Sequence, residues 1–450
     1  MVATALPRIV VAAPASGHGK TTLATGLMAA MVARGLTVSG HKVGPDFIDP
    51  GYHALATGRP GRNLDPFLVG ERRIVPLLLH GARTADVAVI EGVMGLFDGR
   101  LGTAGEASTA HVAALTKSPV LVVVDISHAS RTHAAMIAGL AAFDPSVRIV
   151  GVILNKAAST RHADEVRDAL GPLGIPILGV LPRDDGIETP SRHLGLVPAA
   201  ERGESAHTLT RMAEVIAAHV DIDAVLDLAR GAEPLNDTPW HPAREIQPPS
   251  QTRPVVAMAG GRAFTFRYAE TEELLRAAGC DVVEFDPLTD PTLPAATAGI
   301  YLGGGFPEVH AAALAENRCL LAELRSAVAA GVPTVAECAG LLYLCRSLDS
   351  TPMVGAVPAD AVMTPRLTLG YRTATSPADS LLAEASRQVT GHEFHRTTTT
   401  VVDGRPAWQT PTGSEGFATA TLHAAYLHTH WAGHPALAQR FARAVHGSLA

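Results

Sequence analysis

The sequence is poor in lysine: of its 36 basic residues only Lys20, Lys42, Lys117 and Lys156 are lysines. Arginine therefore supplies positive charge wherever charge alone suffices. The few ammonium groups mark positions where a compact point charge differs from a planar guanidinium. Cysteine is also scarce. Cys280, Cys319, Cys338 and Cys345 all lie in the second half without CxxC spacing, which argues against a zinc site or a disulfide framework and suggests reduced thiols. No apolar run is long enough to span a bilayer, no basic run suits a membrane surface, and a net charge of −7 gives no electrostatic case for nucleic acid. The chain enters a strand-like run at Arg8 with no leader-like segment, so a soluble cytoplasmic protein is expected.

With 450 residues, 47% of them hydrophobic, the chain is long enough for two cores, since single cores rarely exceed about 250–300 residues. Short β-branched runs at 9–13, 37–41, 87–90, 120–124 and 149–154 alternate with helical patterns at 21–34, 108–116, 131–143 and 163–170. That alternation predicts an α/β fold with a doubly wound parallel sheet over residues 1–230. A polar, Pro-rich stretch, 231–253, reads as a linker. A second α/β pattern fills 254–450, with strands at 255–259, 282–285, 299–302 and 334–336 and a β-rich last hundred residues.

In the first half, a strand runs into Ser16-Gly17-His18-Gly19-Lys20-Thr21-Thr22 and then a helix. Glycines let backbone N–H groups converge on phosphate oxygens, Lys20 adds charge, and the Thr21 hydroxyl can hold Mg²⁺. Pro14 stands where such loops usually begin with glycine. After the second strand, Asp46 and Asp49 are flanked by Gly and Pro, which suits a metal- or substrate-orienting loop, although Asx turns use Asp in the same way. Glu91 ends a strand at the carboxyl edge of the sheet, where α/β ligands bind, and is a Mg²⁺ candidate. Asp98 could orient the substrate carboxylate or the metal. Asn155-Lys156 resembles a base-reading dipeptide, with Arg183-Asp184 closing over the same base; the stretch Ser191 to Leu196 has no physical reading of its own.

In the second half, Ala336-Glu337-Cys338-Ala339-Gly340 joins a strand to an apolar helix pattern, and its small residues permit a nucleophile-presenting turn. The helix start is expected to lower the thiol pKa. Gly303-Gly304-Gly305 ends another strand and could offer backbone donors to a developing oxyanion. A base is still required, and His428 and His430 lie two apart on one face of an extended segment.

Taken in order, APASGHGKTT, KVGPDFIDPGYH, GRPGRNLD, EGVMGLFDG, SRHLGL, GGGFPE, AECAG, HEFH and YLHTHW resemble the cobyrinate/hydrogenobyrinate a,c-diamide synthase family over nearly the whole chain. The resemblance implies a P-loop domain similar to dethiobiotin synthetase and a class I (triad-type) glutamine amidotransferase domain. It implies ATP- and glutamine-dependent amidation of the a and c acetate groups of a corrin ring in cobalamin biosynthesis. On that basis Cys338 is the glutaminase nucleophile and His428 its base, with His430 the runner-up. This subgroup resembles enzymes without the usual third acid, so none is assigned. Lys20, Thr21, Glu91 and Asp46 fall at nucleotide and Mg²⁺ positions, and Asp49 and Asp98 handle the corrin carboxylate and its phosphorylated form. Ala339 replaces the family's usual glycine, which is tolerable if its backbone keeps φ below zero.

The implied chemistry needs a protected ammonia route between the halves. Ring metallation, amidation order and oligomeric state are open, and a homodimer is compatible with the sequence. Rival readings are amidation of another tetrapyrrole of the nickel-sirohydrochlorin type, a stand-alone carboxylase resembling dethiobiotin synthetase, and a non-glutaminase P-loop ATPase switch.

Overall fold

Apolar runs flanked by helices assemble as their pattern predicts. The computed structural model describes residues 3–183, 191–192, 195–196, 205–401 and 404–448. It divides into two compact units, Met1–Trp240 and His241–Ala450.

Among the described residues, the main sheet of the first unit has seven strands: β1 (Arg8–Ala12), β2 (Val38–Val43), β3 (Arg62–Leu64), β4 (Val87–Glu91), β5 (Val120–Asp125), β6 (Ile149–Ala157) and β7 (Ile177–Pro182). Their spatial order is β3-β2-β4-β1-β5-β6-β7, and every pairing is parallel. β1, β2 and β4 are buried along their whole length; β1 and β4 accordingly read as nearly continuous apolar runs, whereas β2 carries Ser39, His41 and Lys42 into the interior. Helix α1 (Lys20–Ala33) begins at Gly19, whose φ of 94° only glycine adopts cheaply. Helix α2 (Asp49–Thr57) follows β2, so Asp49 opens a helix rather than sitting in a loop. A two-stranded ribbon pairs Ser191–Arg192 with Gly195–Leu196. Asp184, His193 and Leu194, named in the sequence reading, lie outside the described residues.

In the second unit a six-stranded sheet has the order Asp281–Phe285, Val255–Ala259, Thr297–Leu302, Thr334–Glu337, Leu422–Ala425, Phe417–Ala418, with only the last pairing antiparallel. A second sheet is built on the long hairpin of Ala359–Thr375 with Gln388–Val401, to which His428–Thr429 adds. A helix over Arg318–Ala329, absent from the sequence reading, packs Leu320, Leu321 and Leu324 into the core. The 231–253 stretch is anchored within the units: Leu235 and Trp240 are buried in the first and Ile246 in the second. Leu235 bridges Thr4 and the Trp240 ring packs edge-on against His80.

Candidate active sites

In the first unit the loops after β1 and β4 meet. Gly17 and Gly19 both take positive φ, turning the loop back on itself ahead of α1. Lys20 Nζ donates to the carbonyls of Ala15 at 3.1 Å and Met94 at 2.5 Å, and burial followed by repulsion from Lys42 brings its pKa down to about 8. A Cβ on Gly95 would stand 2.5 Å from the Pro14 carbonyl oxygen, so the two loops touch backbone to backbone. Ser16 and Gly17 are exposed, and Thr22 lies one residue into α1 beyond Thr21.

Parallel pairing of β2 with β4 places Lys42 opposite Glu91, and a buried polar cluster forms there. Thr21 Oγ1 donates to Glu91 Oε1 at 2.6 Å, and Lys42 Nζ lies 3.0 Å from that oxygen, 2.6 Å from Asp49 Oδ2 and 2.9 Å from the Gly92 carbonyl. His53 Nε2 meets Glu91 Oε2 at 2.7 Å. Burial pushes Glu91 up, but attraction to Lys42 and the bonds from His53 and Thr21 outweigh it and hold the carboxyl below its ordinary range. Asp49 goes the other way. Burial and the neighbouring Asp46 and Glu91 carboxylates raise it despite Lys42.

Of the predicted metal residues, Thr21 and Glu91 come together, joined by Asp49. Asp46 instead accepts the backbone N–H groups of Ile48 and Asp49 on Oδ1, opening α2. The Thr21, Asp49 and Glu91 oxygens are hard donors, and Mg²⁺ typically takes one or two carboxylates with substrate phosphates, so this set fits it. Asp98 is exposed, and its Oδ2 accepts the Gly95 N–H at 3.0 Å. Beside it opens a cavity of about 400 Å³ lined by Pro14, Phe97, Asp98, Met136, Leu140 and Phe143. Asn155 Nδ2 donates to the His18 carbonyl at 2.9 Å, bracing the phosphate loop, and Lys156 pairs with Asp125 at 3.2 Å.

In the second unit Cys338 takes φ 50° and ψ −97°, a strained corner between the strand Thr334–Glu337 and the helix Ala339–Leu344. Ala339 is helical and has no positive φ, as its side chain requires. The thiol is not activated by the helix start as expected. That helix has only six residues, and burial, with Glu308 nearby, pushes the thiol above its usual range despite the Ala339 N–H. The oxyanion expectation also changes. The Gly304 N–H donates to Phe266 O at 2.9 Å, so Gly304 is spent on a bridge that fixes the turn. Gly305 is wedged against the backbone of Ala263 and Phe264.

The two histidines diverge, because the strand His428–Thr429 ends before His430. His430 stacks on Tyr268 at 4.1 Å and lies 3.7 Å from Glu270. The His428 ring lies against Gly304, where an added Cβ would stand 2.4 Å from Cε1, and faces His392 in register. Burial, then repulsion from His392 and His395, lowers its pKa to about 3, so the imidazole is neutral near pH 7. The HEFH segment covers the elbow: Cys338 Sγ is 4.0 Å from the Phe394 carbonyl, and His395 stacks on Tyr426 at 3.9 Å. Sequence reasoning marked Lys42 by the rarity of lysine but gave it no role, and it assigned none to His53 or Glu337. For Glu337 the available signal was an acid closing an otherwise apolar strand.

The two units define a nucleotide-binding P-loop domain joined to a glutamine amidotransferase domain. The CobQ/CobB/MinD/ParA nucleotide binding domain family matches residues 9–197, and the CobB/CobQ-like glutamine amidotransferase domain family matches residues 255–436. The chain is 59% identical to a hydrogenobyrinate a,c-diamide synthase of Thermobifida fusca, with 98% of each chain covered. It is 51% identical to one from Streptomyces coelicolor, with 97% of each covered. A cobyrinate a,c-diamide synthase of Synechococcus is 42% identical over 98% of this chain and 99% of that one. The chain belongs to the cobyrinate/hydrogenobyrinate a,c-diamide synthase family.

Proposed function

We propose that the protein converts the a and c acetate carboxylates of hydrogenobyrinic or cobyrinic acid to amides, with ATP as activator and glutamine as nitrogen donor. The observation that carries this reading is full-length similarity to synthases of that name in a chain holding both a phosphate loop and a buried thiol elbow.

A carboxylate is a poor electrophile. One of its oxygens attacks the γ-phosphorus, the bond to the bridging oxygen breaks, ADP leaves and an acyl phosphate remains. Lys20 and the loop N–H groups hold the phosphates, and the base lies toward Asn155 and Lys156. Thr21, Asp49 and Glu91 would hold Mg²⁺, which supplies charge neutralisation to the transferring phosphoryl group. Lys42 and His53 keep Glu91 ionised and oriented. The ring face rests in the cavity beside Asp98, whose Pro14 wall is shared with the phosphate loop, so a short acetate arm reaches the activation point.

In the second unit Cys338 Sγ, losing its proton to His428, attacks the glutamine amide carbon. The carbon–nitrogen bond breaks, the proton passes to the leaving nitrogen, and ammonia departs from a glutamyl thioester. Water then releases glutamate. Ammonia attacks the acyl phosphate carbon and phosphate leaves; repetition gives the diamide. A protected route for ammonia follows from this chemistry. The compartment proposed for this chemistry is the cytoplasm, because a thiol nucleophile must stay reduced.

The test is incubation with ATP, Mg²⁺, glutamine and each ring acid in turn, with the product read by mass. Diamide from either ring supports the proposal, and consumption of ATP with no amide from either ring sinks it.

A further inference from the structure

The family resemblance assigns no acid to orient the glutaminase histidine, yet a carboxyl group lies at the right place. Glu337 immediately precedes Cys338 and its side chain is only 4% exposed. Tyr301 Oη donates to Glu337 Oε2 at 3.0 Å, and Thr429 Oγ1 donates to Oε1 at 2.9 Å, with the Thr429 N–H at 3.3 Å from the same oxygen. Trp431 Nε1 in turn donates to Thr429 Oγ1 at 3.2 Å. The donors to the carboxyl group come from two segments, the strand that holds Tyr301 and the stretch 429–431, and fix it in place; Oε2 lies 3.9 Å from His428 Nδ1.

We infer that Glu337 is the positioning residue of the glutaminase site, holding His428 through Nδ1 so that Nε2 serves Cys338. This rests on the proposed glutaminase chemistry. Burying an acid in the strand Thr334–Glu337 is unfavourable unless its oxygens are satisfied, and a residue needed only for packing would be apolar there. The separation of 3.9 Å exceeds a hydrogen bond, and such contacts close when substrate is bound. As Sγ attacks, its proton moves to His428 Nε2 and the ring becomes cationic. Glu337 stabilises that cation and takes up no proton itself.

The groups facing the pair are Tyr301 and Thr429 around Glu337, and His392 and His395 around His428. Burial, partly offset by the bonds from Thr429 and Tyr301, raises Glu337 to about 7. The orienting charge is therefore present above that pH and absent below it.

The experiment measures glutamine hydrolysis against pH in the full chain, with ATP, Mg²⁺ and ring acid present. In Glu337→Gln, kcat should fall by about 100-fold with the glutamine KM little changed, and the limb near pH 7 should vanish. Glu337→Asp should recover part of the rate, and ammonia-driven amidation should be retained in both. Wild-type kcat and an unaltered limb in Glu337→Gln overturn the inference. If that variant fails to fold, Tyr301→Phe decides: loss of its hydrogen bond should move the limb to higher pH, and an unmoved limb overturns the inference. A wild-type protein that releases no ammonia from glutamine would instead count against the proposed function.

Discussion

Lys42 and Glu91 are register partners across β2 and β4, and their side chains meet at 3.0 Å within a fully buried cluster that also holds Asp49 and His53. Lys42→Met would remove the cation while leaving two carboxylates in the interior. Breaking such a pair from one side costs about 3–5 kcal/mol. Urea unfolding should show that loss, and ATP-dependent amidation should disappear. Wild-type stability would mean that the carboxylates do not depend on Lys42.

Cys338→Ser should abolish glutamine-dependent amidation and spare the reaction driven by high external ammonia. Amide product measured with each nitrogen source checks this. Loss of both, with the fold intact, would contradict separate sites for nitrogen release and carboxylate activation.

Gly304→Ala places a methyl group 2.4 Å from His428 Cε1. The ring must swing away, so glutaminase kcat should drop at least about tenfold while ammonia-driven amidation holds. Unchanged glutaminase kinetics would show that His428 does not act from its observed position.

Phe143 is 73% exposed and packs against Phe97, with ring centroids 4.6 Å apart. Phe143→Ser should raise the KM for the ring acid about tenfold, the worth of an apolar contact of 1–2 kcal/mol, and leave the KM for ATP alone. Light scattering on the same variant reads oligomeric state. A changed mass with an unchanged KM would assign this face to a second copy instead of the ring.

His423 is packed edge-on against Trp408, and burial lowers its pKa from 6.5 to about 3. A depressed folded-state pKa gives stability that is complete above 6.5 and is lost as pH falls toward 3. Below pH 6.5 the loss is about 1.4 kcal/mol per pH unit for this one group. His423→Phe should therefore shallow the acid-side decline of stability by that amount, read from urea unfolding at pH 7, 6 and 5. Parallel curves for the two proteins would contradict it.

The phosphate loop was legible because its elements are local: β1, two turn glycines and α1 are contiguous, and each is written in residue types with few alternatives. Cys338 was legible for the same reason. The buried cluster was not, because Lys42 and Glu91 are 49 residues apart and only parallel strand pairing joins them. The divergence of His428 from His430 was hidden too. A period of two puts them on one face of any extended segment, and nothing local announces that the strand stops after Thr429. Glu337 escaped notice because an acid at a strand end ordinarily faces water. Here Tyr301, Thr429 and His428 arrive from distant positions to enclose it.

The burial of Lys20 and Lys42 also governs how the molecule can be handled. With those two ammonium groups tied to carbonyls and carboxylates, the lysines left for an amine-directed reagent are Lys117 and Lys156, whose side chains are 51% and 31% exposed. Attachment to a surface through amines would therefore fall on the first unit, and the glutaminase unit, which contains no lysine, would be spared modification.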